Sequence, residues 1–184
     1  MSIKRVFLST VISSALISGS VMAAETGTVS FNGLITGSTC DVNIGGSGAD
    51  ATVVLPTVSA NTLDAATKTN GKTRFTLELS GCTGALTQAK AFFEGGNTVN
   101  NATGRLINTE TSGAGNVSLQ LRDGQNNSVI NAGDTAQSAA SAIGFVDIAT
   151  NSSASLPYYV EYYAEDAVTA GTVASQVTYS LIYK

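Results

Sequence analysis

Alternation of apolar and polar positions runs through the chain and is cleanest at its end. In residues 171–183, Val173, Ser175, Val177, Tyr179, Leu181 and Tyr183 share one face of an extended segment; Thr172, Ala174, Gln176, Thr178 and Ser180 share the other. Period two with β-branched and aromatic residues predicts a half-buried strand, interrupted only by Ile182. A terminus is ordinarily where order is lost, so this signal implies that something packs on the last strand. A second alternating segment lies near the start, with Gly27, Val29, Phe31 and Gly33 set against Thr28, Ser30 and Asn32.

Between these ends the same period recurs in short pieces. Residues 34–40 continue extended, and residues 43–50 are Gly-rich and loop-like. Residues 51–55 predict a short strand ended by Pro56. Residues 61–72 are polar, with Asn70-Gly71 as a turn. Phe75, Leu77 and Leu79 alternate into Cys82, and residues 89–94 predict another strand. Val117, Leu119 and Leu121 lead to a turn at Asp123-Gly124 that returns through Val129 and Ile130 as a hairpin. Residues 142–148 are short and apolar, and Tyr158, Val160, Tyr162 and Ala164 mark a strong strand. Many short strands, with no long helix, no repeat and no linker, predict one all-β sandwich.

The first residues read as a processing signal. Lys4 and Arg5 precede an apolar run, residues 6–17, too short to span a bilayer as a helix. Val21-Met22-Ala23 then offers a small-residue cleavage site, so residues 1–23 are expected to be removed. No later segment predicts membrane insertion, and the mature chain is expected to be exported. Removing Lys4 and Arg5 leaves seven basic residues against thirteen acidic ones, a net charge of −6. An acidic surface repels phosphate backbones, which argues against nucleic acid as a partner. Cys40 and Cys82 are the two cysteines. In an exported chain such a pair reads most simply as one disulfide; a reactive thiol pair is the alternative, without C-x-x-C spacing to support it.

Candidate chemistry is sparse. The chain has no histidine, which removes the usual general base and every Ser-His or Cys-His dyad. Glu161, Glu165 and Asp166 could in principle work as paired acids, but they read as solvated strand and turn residues. Asn70-Gly71-Lys72-Thr73 resembles the tail of a phosphate loop, yet Ala66 stands where that pattern needs glycine. Asp123-Gly124-Gln125-Asn126-Asn127 has oxygen donors like a calcium loop but has Asp134 where the glutamate belongs. Four Asn-x-Ser/Thr sequons, beginning at Asn101, Asn116, Asn126 and Asn151, are expected by chance in so Asn-, Ser- and Thr-rich a chain. Tyr158 and Tyr162 on one strand face, and Tyr159 and Tyr163 on the other, could form a sugar platform; one pair reads as core. No cofactor or metal is expected.

Taken in order, the export signal, the Gly27–Gly33 alternation, Ile35, Cys40-Asp41-Val42, Phe75 to Leu79 running into Cys82, the hairpin edge at Leu119, Leu156-Pro157-Tyr158, Gly171 and the penultimate Tyr183 resemble the pilin subunits of chaperone–usher fimbriae, in particular the major subunit of type 1 fimbriae. The resemblance covers essentially the whole mature chain. It implies an incomplete immunoglobulin-like β-sandwich, residues 34–184, completed by donor-strand exchange. It implies a donor strand in residues 24–33, with Gly27, Val29, Phe31 and Gly33 facing a groove and Gly27 where the groove is too narrow for a side chain. It implies that Gly171, Val173, Val177, Tyr179, Leu181 and Tyr183 line that groove and are recognised by chaperone and usher, and that Cys40 and Cys82 form the family's disulfide. The expected partners are identical or related pilin subunits, a periplasmic chaperone and an outer-membrane usher, and the expected destination is a fimbria at the cell surface. Only Ala24, Glu25 and Thr26 would precede Gly27, a short extension that sets Glu25 at the outermost pocket. The rival readings are a minor adapter of the same system and, from another class, a monomeric lectin-like binding module; the length leaves no room for the extra receptor domain of a tip adhesin.

Overall fold

The computed structural model describes residues 29, 37, 39–85, 87–139, 142–148 and 152–184. The chain divides into two compact units, Met1–Leu34 and Ile35–Lys184. Of the first, only Val29 is described, with an exposed side chain; Gly27, Phe31 and Gly33 lie outside the described residues, as does the processing signal. In the second unit nine strands form among the described residues: β1 Thr39–Ile44, β2 Thr69–Thr83, β3 Gln88–Phe93, β4 Leu106–Ile107, β5 Val117–Asp123, β6 Val129–Ile130, β7 Val146–Asp147, β8 Ala154–Ala164 and β9 Tyr179–Tyr183. The larger sheet runs β1-β2-β8-β5-β4, with β6 also beside β5, and the smaller runs β7-β3-β9. Every pairing is antiparallel.

Alternation decides which side chains meet between the sheets. Leu77 and Leu79 of β2, Leu119 and Leu121 of β5, and Leu156, Tyr158 and Val160 of β8 turn inward, against Ala89, Ala91 and Phe93 of β3. Burying each of the larger side chains contributes about 1.5–3 kcal/mol. Phe93 stands edge-on to Tyr158 with ring centroids 5.0 Å apart, and Phe75 lies 5.7 Å from Tyr158. Because β7 pairs with Gln88 and Ala89 and with no further residue of β3 among the described residues, the next N–H groups on that side of β3 need other acceptors. Ala91 N donates to Tyr158 Oη at 2.9 Å, and Phe93 N donates to Gln137 Oε1 at 3.0 Å. Burial and its place among apolar groups push the Tyr158 phenol well above its ordinary pKa.

Four expectations are corrected. Asn70-Gly71 is not a turn between elements but a bulge inside β2, where the register with β8 shifts between Asn70 and Thr73 and Gly71 takes φ +70°. A Cβ on Gly71 would stand 2.8 Å from the Tyr162 ring. Residues 51–55 form no strand and make no backbone hydrogen bond among the described residues. Of the predicted strand 171–183, only β9 forms a regular ladder with β3. Glu161 is not solvated: it is buried beneath Arg122, whose Nε donates to Glu161 Oε1 at 2.5 Å, and Gln120 Nε2 donates to the same oxygen at 3.0 Å.

Candidate functional site: an open strand edge above the core

Residues 171–178 lead into β9 without being part of a regular strand, and their backbone hydrogen bonds divide by parity. On the even side, Glu94 N donates to Thr178 O at 2.8 Å, Thr109 N to Ala174 O at 2.8 Å and Ala114 N to Thr172 O at 2.9 Å. Thr98 Oγ1 donates to Gln176 O at 2.7 Å, and Ala174 N donates to Asn108 Oδ1 at 3.0 Å. Gln88 and Lys184 exchange backbone hydrogen bonds at 3.1 and 3.0 Å, which fixes the ladder so that the even residues of β9 face β3. The odd residues therefore turn their N–H and C=O groups the other way. Among the described residues, no backbone hydrogen bond reaches Val173, Ser175 or Val177, and β9 is the outer strand of its sheet.

A second unpaired rim lies opposite. Residues 51–58 make no backbone hydrogen bond among the described residues. Val53, Leu55 and Val58 of this rim are half-buried, while Val54 points out at 81% exposure. The alternation that predicted a strand here reports burial on one side; it does not report a pairing partner. Between the rims is a cleft of about 800 Å³, lined by Val177, Tyr179 and Leu181 on one side and by Val53 and Leu55 on the other. Phe75, Leu119, Leu121 and Val160 form its floor, so the sandwich core is reached from the cleft. A smaller cleft of about 420 Å³ continues along the same strand, lined by Gly171, Val173, Val58, Leu63, Tyr162 and Val168.

The groove residues read from the sequence are thus brought together in part. Val177, Tyr179 and Leu181 line the larger cleft, and Gly171 and Val173 line the smaller. Tyr183 is half-buried against the core beyond both, and its Oη accepts from Cys40 N at 3.1 Å. Gly171 has a further reason to be glycine, because a Cβ there would lie 2.3 Å from Ala114 N and 2.5 Å from Gly113 C. Cys40 and Cys82 form a disulfide that ties β1 to β2. Tyr179 Oη donates to Ala49 O at 2.8 Å, so its side chain reaches across to the opposite rim. Burial holds the Tyr179 and Tyr183 phenols above their ordinary pKa.

Two features of the site were not singled out from the sequence. One is the opposite rim, whose only sequence signal was the Val53/Leu55 alternation before Pro56. The other is Ser175, whose Oγ is buried with no hydrogen-bond partner among the described residues. The remaining sequence candidates become structural. Asp123 Oδ1 accepts from Gln125 N and Asn126 N at 2.8 and 3.1 Å, which makes the hairpin turn. Glu165 receives Arg105 Nε and Nη2 at 2.7 and 2.9 Å. Tyr158 is core and Tyr162 half-buried. On the other sheet face, Tyr159 is covered by Lys72 at 4.3 Å and Tyr163 by Arg105 at 3.9 Å, so neither ring is bare for stacking on a sugar. No cluster of three or more potential metal ligands occurs among the described residues.

Comparison with known proteins shows the family and the fold. Residues 55–184 match the family model described as "FimA: Type-1 fimbrial protein, A". The chain is 42% identical over 162 residues to the major fimbrial subunit SMF-1 of Stenotrophomonas maltophilia, covering 87% of this chain and 94% of that protein. It is 39% identical over 174 residues to the F17 fimbrial protein of Escherichia coli, covering 92% and 94%. Among solved structures, a chaperone–usher pilus subunit superposes with a TM-score of 0.56 at 19% identity, covering 90% of this chain and all of that one, and places the fold among immunoglobulin-like sandwiches. The chain belongs to the type-1 fimbrial protein family and is a structural subunit of a bacterial surface fimbria.

Proposed function

We propose that this chain is the shaft-forming subunit of its fimbria and polymerises without covalent bonds by strand addition. Residues 24–33 of one subunit enter the groove of the next, between residues 171–183 and residues 51–58. The observation that carries the reading is the parity of the backbone along the terminal strand. Its odd-numbered groups face outward over a cleft of about 800 Å³ floored by core side chains, and the rim opposite has no backbone partner among the described residues either. An open edge beside exposed core is an aggregation hazard that one further strand removes. In strand addition, main-chain hydrogen bonds supply affinity and alternate side chains supply specificity. Residues 24–33 have the matching alternation, with Val29 and Phe31 as the apolar side chains and Gly27 and Gly33 flanking them.

The same open edge makes the free subunit dependent on a partner before assembly. A periplasmic chaperone covers the groove, with Gly171, Val173, Val177, Tyr179, Leu181 and Tyr183 as the recognised edge, and an outer-membrane usher mediates the exchange. The export signal in residues 1–23 routes the chain through the periplasm to the surface. The shaft is favoured over a minor adapter by the likeness to a major fimbrial subunit along most of both chains. Deletion of residues 24–33 tests the reading. The shortened chain is expected to bind the chaperone one to one and to accept a donor strand, but to be unable to insert into another subunit. Normal fibres from that deletion would overturn the donor assignment.

A further inference from the structure

We propose that Asn70-Gly71 is a site of self-modification, at which the Gly71 backbone nitrogen closes on the Asn70 side-chain amide and turns residue 70 into an aspartyl residue. The inference does not depend on how subunits join. Both residues sit in the bulge of β2, where the register on β8 passes from Tyr162 opposite Asn70 to Val160 opposite Thr73, so Gly71 has no register partner there. The Gly71 N–H donates to Asn70 Oδ1 at 2.7 Å, which holds the nitrogen beside the carbonyl carbon that it must attack. The other end of the amide is fixed as well. Asn70 Nδ2 donates to Thr62 Oγ1 at 2.7 Å, and Thr62 Oγ1 donates to Ser59 O at 2.7 Å. Gly71 takes φ +70° and has no side chain to hinder the approach. Asn70 and Gly71 are half-buried and not sealed from water.

The reaction needs only water and hydroxide. Gly71 N gives its proton to hydroxide and bonds to Asn70 Cγ. The Cγ–Nδ2 bond breaks, and the nitrogen leaves as ammonia after taking a proton from water, which closes a cyclic imide. Water then opens one of the two imide C–N bonds. Opening at Cγ gives aspartate at position 70. Opening at the backbone carbonyl gives isoaspartate, with a main chain lengthened through the side chain. A Cβ on Gly71 would stand 2.8 Å from the Tyr162 ring, so the bulge has little space for a longer main chain, and opening at Cγ is favoured in the folded subunit. Either product loses the Nδ2 donor. A carboxylate only accepts, and the Thr62 proton is already given to Ser59 O. Thr62 then keeps its bond to Ser59 or its tie to β2, and cannot keep both. Ala60 and Leu63 of the same short segment line the smaller cleft beside Gly171, so the modification loosens the wall of that cleft as the subunit ages.

Mass spectrometry of peptides spanning residue 70 tests the proposal, on assembled fibres and on the same subunit denatured in guanidinium, both held at one mildly alkaline pH. A regular ladder slows this reaction by holding the backbone away from the imide geometry. Here conversion of Asn70 is expected to be at least as fast in the fibre as in the denatured chain, with a larger ratio of aspartate to isoaspartate. Slower conversion in the fibre overturns the proposal, and an equal or smaller ratio overturns the confinement by Tyr162. Thr62 is exposed, so Thr62→Val frees Nδ2 without disturbing the core. This variant is expected to slow conversion several-fold in the fibre and to leave the denatured rate unchanged; an unchanged or faster rate in the fibre overturns the part given to Thr62. Asn70→Asp makes the product directly. The Thr62 N–H, which donates to Ser59 O at 3.0 Å, is expected to exchange several-fold faster in that variant, and unchanged exchange overturns the loosening of the segment.

Discussion

The penultimate residue Tyr183 is bound to Cys40, 143 positions earlier: the phenol oxygen accepts the Cys40 backbone N–H at 3.1 Å. The β1–β2 register slips between Thr39 and Asp41, at Cys40. Tyr183 gives that partly buried N–H an acceptor from the other sheet, and so clasps the end of the chain to the base of β1. Tyr183→Phe keeps the ring and removes the acceptor. An unsatisfied buried donor costs about 1–3 kcal/mol. Fibres of this variant are therefore expected to dissociate at lower guanidinium concentration than wild type, with unchanged subunit spacing. An unchanged midpoint would show that the clasp contributes nothing.

Gly171 is held by steric necessity. A Cβ there would meet Ala114 N at 2.3 Å and Gly113 C at 2.5 Å, and a Cβ on Gly113 would meet Thr172 O at 2.4 Å. Gly171→Ala must push the start of the terminal segment away from residues 113–114, and overpacking of this kind costs about 1–3 kcal/mol. Loss of the Ala114 N to Thr172 O bond is expected with it. Protease digestion of the chaperone-bound subunit is expected to cut the variant near residues 110–115 at least several-fold faster than wild type. Equal rates would mean that the loop simply yields.

The disulfide closes a loop across a sequence separation of 42. By the chain-entropy relation, its removal gives the unfolded chain freedom worth roughly 4 kcal/mol, a large share of the ~5–15 kcal/mol typical of a domain. The Cys40→Ser, Cys82→Ser double variant is expected to yield little chaperone-bound subunit in periplasmic extracts. Wild-type yield would show that β1 holds its place through the β2 ladder alone.

Four tyrosines make the fold sensitive to alkali. Burial raises the phenols of Tyr158, Tyr162, Tyr179 and Tyr183. A phenol whose folded pKa exceeds its unfolded value of ~10 favours the folded state fully below that value, and this contribution is lost as pH rises through the folded pKa. Stability is therefore expected to be level into mildly alkaline pH and to fall above about pH 10. Phenolate absorbance at 295 nm should rise together with loss of β-structure by circular dichroism. Phenolate absorbance that completes at ~10 with the fold intact would contradict this.

Much of the sandwich was legible because alternation reports which face is buried. Leu77, Leu79, Leu119, Leu121, Tyr158 and Val160 are all core. What alternation does not report is hydrogen bonding between strands. Residues 51–55 and 171–178 have strand-like patterns, yet the first has no backbone partner and the second has partners on one side alone among the described residues. Asn70-Gly71 has the dipeptide of a turn, but the ladder resumes at Thr73, so the left-handed glycine serves a bulge. Nothing local shows that Glu161 is buried, because its counter-charge, Arg122, and its hydrogen-bond donor, Gln120, come from a strand about forty positions earlier. The Tyr179–Ala49 and Tyr183–Cys40 contacts join residues more than a hundred positions apart, and nothing local to either one foretells them.

The central claim is that the outward edge of residues 173–181 is paired by a strand from another subunit. Amide hydrogen exchange read residue by residue tests it most directly, by comparing subunits caught without a strand partner with assembled fibres. The N–H of Lys184, already bonded to Gln88 O, should be protected in both. The N–H groups of Val173, Ser175, Val177, Tyr179 and Leu181 should exchange rapidly in the free subunit and become strongly protected in the fibre. Odd-numbered amides that exchange equally fast in both states would contradict the account.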